Sequence, residues 1–349
     1  MRTALIVSLN FNPGHVSHLQ ASYHQFEDLG YKSYYYVHPA FKEFLPKDSR
    51  ILFYGNTKPK TIDVAIIWFP SQKNLCIIKS LKRKFRTKII YCYHEPVTSF
   101  KEYRESGYTS IQVLIERMKD WIGAYTSNIS DIVILPSKKA YTNYIEGKLY
   151  KNKNVIYMPL LYVDECVESH RQIERRYFSY IGTVASDHSF TEYLKFVECA
   201  IMNDWMPRIK FLIATKSEFD IPDIIASSSR VDIYKGKPMS NDEINAHYAS
   251  SYIVWNAYAR TTQSGVLAKS FMFGTPAIVL SKNLSEFTED GANIVAINDN
   301  TSFYEICSSI EKIISDYDYF SMNARKRFEN TFYYRRYNEM FREIISSIK

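Results

Sequence analysis

Apolar residues in this chain form short unbroken runs, separated by longer segments in which they recur every three or four positions. Thr3–Leu9 is the first run. A polar turn leads from it into Val16–Leu29, whose spacing predicts a helix. Runs rich in β-branched and aromatic residues follow at Lys32–Val37, Val64–Trp68, Ile89–Tyr93, Ile132–Leu135 and Val155–Met158. Helical spacing lies between several of them, over Ile111–Tyr125 and Lys138–Ile145. Unbroken runs, as opposed to alternating ones, predict strands covered on both faces and so a parallel α/β sheet.

The pattern pauses over the polar stretch Leu160–Arg176, which carries Asp164-Glu165 and Arg175-Arg176. It restarts with Tyr177–Ile181, Ile209–Ala214, Val231–Tyr234, Ile253–Ala257 and Ala277–Leu280 as strands, and with Ser189–Asn203, Asn241–Ser250 and Gly265–Phe273 as helices. The simplest reading is two doubly wound, Rossmann-like α/β domains, residues 1–165 and 166–349. The segment after Thr301 reads as a helical tail able to pack back on the first domain.

Composition narrows the class. Of 349 residues, 46% are hydrophobic and 15% aromatic, enough to offset the chain entropy of ordering a large core, so disorder is excluded. The run Ala4–Leu9 is too short for a signal-peptide core, and no run approaches the ~18 apolar residues of a membrane span. Five scattered cysteines without a CxxC pair argue for reduced thiols and a cytoplasmic protein. The formal charge of +7 is spread over a large chain and says little about nucleic acid.

Ligands of doubly wound sheets bind where strands exit into helices, and three such loops carry chemistry. In Asn10–His15, Gly14 can bring the backbone close to a ligand, but GxGxxG is absent and a nicotinamide dinucleotide fits poorly. At the end of Ile89–Tyr93 stand His94 and Glu95, where a histidine can act as acid, base or hydrogen-bond donor near neutral pH or simply cap the next segment. The third loop, Trp255–Val266, ends in Ser264-Gly265 at a helix start, a place suited to an anion, with Arg260 as a cation for phosphate. A capped helix with a packing glycine is the plainer alternative.

With these loops in view, the chain resembles the GT-B glycosyltransferases, in particular those of family 4 that build bacterial surface polysaccharides. Tyr180-Ile181-Gly182-Thr183 resembles the strand that opens the donor domain, and Tyr234–Ile244 the segment ahead of the donor loop. Gln263-Ser264-Gly265-Val266, followed by Phe273-Gly274-Thr275-Pro276, resembles the helix that holds the donor phosphates, and Glu286–Gly291 the segment closing that site. In the first half, Asn12-Pro13-Gly14, His94-Glu95 and Asp131–Ser137 resemble the acceptor-domain motifs. The resemblance implies two domains facing a cleft and transfer of a sugar from a nucleotide-sugar to a glycan or polyprenyl-diphosphate-linked acceptor. It also implies retention at the anomeric carbon, with no metal and no cofactor beyond the nucleotide-sugar substrate.

On this resemblance His94 and Glu286 are the expected catalytic residues. Gly14, Gly182, Thr183, Lys216, Arg260, Gln263, Ser264, Gly265, Val266 and Glu289 are expected at the donor, and His15 and Glu95 at the acceptor. The chain also departs from the family. Thr261 and Lys269 stand where E-x7-E would place its two glutamates, and Thr183 replaces the usual arginine. Lys216 and Arg260 are the candidate replacements for the lost cations. A catalytically inactive binding or assembly subunit of a polysaccharide-synthesis complex is the alternative that these departures keep open. A phosphorylase or epimerase would need its own acid/base pair or cofactor-bearing lysine, which the sequence does not identify.

The D-x-D of Asp316-Tyr317-Asp318 has no strand before it and reads as surface charge. The run Lys79–Lys88 holds six cations (Lys79, Lys82, Arg83, Lys84, Arg86 and Lys88). It suits either peripheral contact with an anionic membrane or a solvated helix face. Phe85 is the one aromatic residue within it, too few for a stacking platform, which argues against single-stranded nucleic acid.

Overall fold

A computed structural model describes residues 2–55, 59–96, 100–105, 107–261 and 263–348; Thr262, in the third loop, lies outside them. The chain divides into two compact units. Unit 1 is residues 1–163 with 332–349, and unit 2 is residues 164–331.

Unit 1 alternates strands and helices: β1 Thr3–Ser8, α1 Val16–Asp28, β2 Lys32–Val37, β3 Ile51–Phe53, β4 Val64–Trp68, α2 Gln72–Phe85, β5 Lys88–Cys92, α3 Phe100–Glu105, α4 Ser110–Ile129, β6 Ile132–Leu135, α5 Lys138–Glu146 and β7 Val155–Tyr157. The strands form one seven-stranded sheet in the order β3-β2-β1-β4-β5-β6-β7, and all its pairings are parallel. Every residue of β1 and β4 is buried, as two-sided coverage demands. Leu5 of β1 lies between Tyr34 of β2 and Ala65 of β4, which fixes the sheet centre.

Unit 2 contains α6 Glu168–Arg171, β8 Tyr177–Ile181, α7 Phe190–Met202, β9 Lys210–Ala214, α8 Asp223–Ala226, β10 Val231–Tyr234, α9 Asn241–Ala249, β11 Ser251–Asn256, α10 Gly265–Met272, β12 Ala277–Leu280, β13 Ile294–Ile297, α11 Phe303–Ser315 and α12 Tyr317–Thr331. Its six strands run in the order β10-β9-β8-β11-β12-β13, again all parallel. In both sheets the strand order reverses beside the first strand of the unit, the point where such sheets open a crevice for ligands. An aromatic core underlies it, with Phe178, Tyr193, Phe196 and Trp255 in edge and tilted contact.

The final helix, α13 Asn338–Ser347, belongs to unit 1. Phe341 meets Phe26 of α1 edge-on at 5.1 Å, and Tyr162 bonds to the backbone on either side of Tyr333. Two strands, β3 and β13, were not anticipated from the sequence.

The polar stretch 160–176 is a set of anchors. Leu160, Leu161 and Tyr162 are buried. Arg175 reaches the backbone oxygens of Ser251 and Phe273 and the Thr275 hydroxyl. Asp164 pairs with Arg325 of α12, and Glu165 with Lys269 of α10.

Candidate active site

In unit 1, the loops leaving β1, β4 and β5 meet through aromatic rings. The first is ordered by Asn12, whose side-chain oxygen caps the turn by accepting from the Gly14 amide at 3.1 Å. That amide is therefore already engaged. The Asn12 side-chain nitrogen donates to His15 Nε2 at 3.2 Å, so this nitrogen acts as acceptor. The His15 ring stacks on Phe69 with centroids 3.4 Å apart, and His94 meets the other side of the arrangement edge-on to Phe69 at 5.9 Å. Phe69 itself has φ +60°, a left-handed conformation that costs a bulky residue and is kept only where the surroundings impose it. Sequence reasoning missed Phe69. The signal was a lone aromatic between a strand and Pro70, too common to stand out. Glu95 is half-buried in the same loop as His94.

In unit 2, the loops leaving β8, β9, β11 and β12 adjoin one another. Gly182 ends β8 at φ +152°, where side chains are strained, and a Cβ there would sit 3.4 Å from the Tyr258 hydroxyl and 3.6 Å from Val266. The contacts would be ordinary ones, so it is the conformation that favours glycine here. The Thr183 carbonyl accepts from the Tyr180 hydroxyl at 2.8 Å and from His188 Nδ1 at 2.7 Å. The neighbouring Val184 amide donates to Ser217 at 3.1 Å, which brings the loop of exposed Lys216 alongside.

Ser264 caps α10: its hydroxyl accepts from the Leu267 amide at 3.2 Å and from Asn256 at 2.8 Å. The positive end of that helix thus lies at the exit of β11, with Gly265 and Val266 in its first turn. Tyr258 is buried and stacks on His188 at 4.1 Å, and its backbone oxygen accepts from Asn283 after β12. Burial, then the charge of Asp187, pushes its phenol pKa up, so it remains a neutral hydroxyl.

Arg260 is buried, with its guanidinium 3.9 Å from the buried Asp187 carboxylate. The cation is thus fixed beside a counter-charge that sequence reasoning did not pair with it, since the two positions are far apart in the chain. Gln263 is buried in the same loop. Glu286 is half-buried and its carbonyl accepts from Arg327 of α12 at 3.4 Å, while exposed Glu289 pairs with Arg327 at 3.1 Å.

Lys269 is buried 2.8 Å from Glu165 and 3.2 Å from Asn241. Glu165 also accepts from Asn241 and Asn245. Burial raises the carboxyl's pKa, but Lys269 and the amides overcome it and hold the group below its ordinary value; burial also lowers the pKa of Lys269. Asp316 and Asp318 lie at the α11–α12 junction, where Tyr317 between them packs on Tyr252 near the start of β11. Among the described residues no cluster of three His, Cys, Asp or Glu side chains is placed to hold a metal ion.

Solved structures share this architecture. The chain superposes on sucrose-phosphate synthase of Thermosynechococcus elongatus with TM-score 0.71 at 12% identity, covering 99% of this chain and 100% of that one. The fold is GT-B. HepE of Anabaena, solved with UDP, gives TM-score 0.69 at 13% identity over 99% and 100% of the two chains. A glycosyltransferase from Rickettsia africae gives 0.65 at 11% over 99% of each. No protein-family model matches the sequence, and no curated protein matches it. At these identities the likeness is one of fold.

Proposed function

We propose that this protein is a glycosyltransferase that moves a sugar from a nucleotide-sugar to a glycan or lipid-linked oligosaccharide in bacterial cell-surface polysaccharide synthesis. The observation that carries the reading is the corner where bare Gly182, the Tyr258 hydroxyl and the Ser264-capped start of α10 converge at the reversal point of the unit 2 sheet. A helix N-terminus beside a side-chain-free backbone suits a diphosphate, whose growing negative charge the transfer must stabilise. Structural neighbours include proteins solved with UDP or UDP-glucose, which supports the same donor class here.

On this reading unit 2 takes the donor. Ser264, Gly265, Arg260 and Lys216 face the diphosphate, and Glu286 or Glu289 accepts bonds from sugar or ribose hydroxyls. Unit 1 takes the acceptor through His15 and Glu95, with His94 bonding the transferred sugar. The reaction retains the anomeric configuration and needs no metal. The protein works in the cytoplasm at the inner face of the membrane; none of its described helices is long and apolar enough to cross one.

A second reading, a binding or assembly subunit without turnover, is favoured by Lys269, because a cation locked to Glu165 stands where the family keeps a carboxylate. A thermal-shift screen with UDP-, GDP-, dTDP- and CMP-sugars tests both, since a ligand at 100 times its Kd stabilises by about 2.7 kcal/mol. Stabilisation by one nucleotide with product formed supports the enzyme. A shift without product supports the subunit, and no shift with any of them removes the donor site. Arg260→Ala should weaken nucleotide binding; unchanged affinity would take Arg260 out of the site.

A further inference from the structure

Helix α4 is amphipathic the wrong way round. Its buried face carries Val113, Asp120, Gly123, Ala124, Thr126 and Ser127, which are small or polar apart from Val113. Its large apolar residues are outside: Ile111 is 74% exposed, Leu114 64%, Ile115 48%, Met118 56%, Trp121 65% and Tyr125 47%. At 100° per residue these six fall within about one-third of the helix circumference, opposite the buried face. A contiguous stripe of this kind over four turns of helix marks a docking surface, since soluble domains seldom leave such a patch open.

The neighbourhood says what docks. Helix α2 packs beside α4, and its exposed cations Lys79 and Arg83 lie one turn apart on one face. Lys79 Nζ stands 5.7 Å from the Tyr125 ring, so the basic face and the apolar stripe are continuous. Trp121 and Tyr125 occupy the end of the stripe nearest these cations, and such rings favour the level of lipid headgroups.

We propose that the α4 stripe and the α2 cations form one membrane-docking face, which inserts Leu114, Met118 and Trp121 into the acyl boundary of an anionic bilayer while Lys79 and Arg83 contact its headgroups. This is the geometry of an interfacial helix, held in place by a folded domain. The face lies within unit 1 and does not depend on the transferase reading, so the two stand or fall separately.

The test uses the full-length protein with vesicles of phosphatidylglycerol and phosphatidylcholine, against phosphatidylcholine alone, at low and high salt. The wild type should co-sediment with the anionic vesicles and lose much of that binding at high salt. Its tryptophan emission should shift to the blue on binding, and Trp121→Phe should abolish the shift. Lys79→Glu with Arg83→Glu, and separately Leu114→Ser with Trp121→Ser, should each weaken binding by about tenfold or more. All four residues are exposed, so unchanged thermal melts will confirm that both variants fold. Absence of binding to anionic vesicles would overturn the proposal. So would a stable dimer in sedimentation velocity that the Leu114/Trp121 variant converts to monomer, because the stripe would then be covered by a second copy of the chain.

Discussion

The two units share a sheet plan but build their loop clusters from different forces. In unit 1 the convergence of His15, Phe69 and His94 is ring against ring, with one strained backbone at Phe69. In unit 2 the corner at Gly182 is held by a helix cap, by the Thr183 carbonyl with its two donors, and by buried ion pairs. Ring contacts hold orientation loosely and tolerate sliding. Charged pairs out of water fail when one partner is removed, because the other is left buried and uncompensated. Unit 2 should therefore be brittle to single substitutions at its site, and unit 1 forgiving.

Lys269→Ala should show the largest effect. It leaves Glu165 buried with only amides, at a cost of about 3–5 kcal/mol, read as a lower urea midpoint. A loss under 1 kcal/mol would mean that the pair is not held as the distances suggest. The same pair gives a pH signature. Glu165 is held below its free value of 4.5, so its contribution is present above that pH and is lost as pH falls through the lower folded value. In Lys269→Met the lone buried carboxylate shifts upward instead, and acidification should restore stability. Urea midpoints measured from pH 7 downward in both proteins distinguish these slopes.

Next in size is Gly182→Ala, at about 1–3 kcal/mol from the strained conformation, with nucleotide affinity lost as well. Affinity unchanged in a folded variant would separate Gly182 from the donor. Ser264→Ala removes the α10 cap and should cost about 1 kcal/mol in a thermal melt. The smallest stability change belongs to unit 1. Phe69→Gly relieves a left-handed backbone while losing ring contacts worth about 0.5–1.5 kcal/mol, so stability should barely move. Glycosyl transfer should fall all the same, because His15 loses the surface that orients it. A large drop in stability there would erase the contrast between the units.

Much of the fold was legible because buried parallel strands are apolar along most of their length, and β1, β4, β6, β8 and β12 fall on the runs that announced them. Ser264 and Gly265 were legible for a related reason, since a strand exit followed by a capped helix leaves a local trace, whereas Gly182 was named only through the family resemblance. Phe69 left none: its importance is a conformation and two ring partners, His15 far back in the chain and His94 well ahead. The Arg260–Asp187 and Lys269–Glu165 pairs were illegible for the same reason, as each joins loops that only the folded sheet brings together. The exposed stripe on α4 escaped because helical periodicity announces an apolar face without saying whether that face turns inward.

The sequence by itself determined the alternation of strands and helices, the two-part plan and the polar loops at the strand exits, because each follows from local periodicity and the residue types that end an element. Only the tertiary structure decided which charge faces which, which glycine is bare against a ring and which side of α4 meets water. Those are properties of packing, where contacts between distant residues outweigh the propensities of near ones.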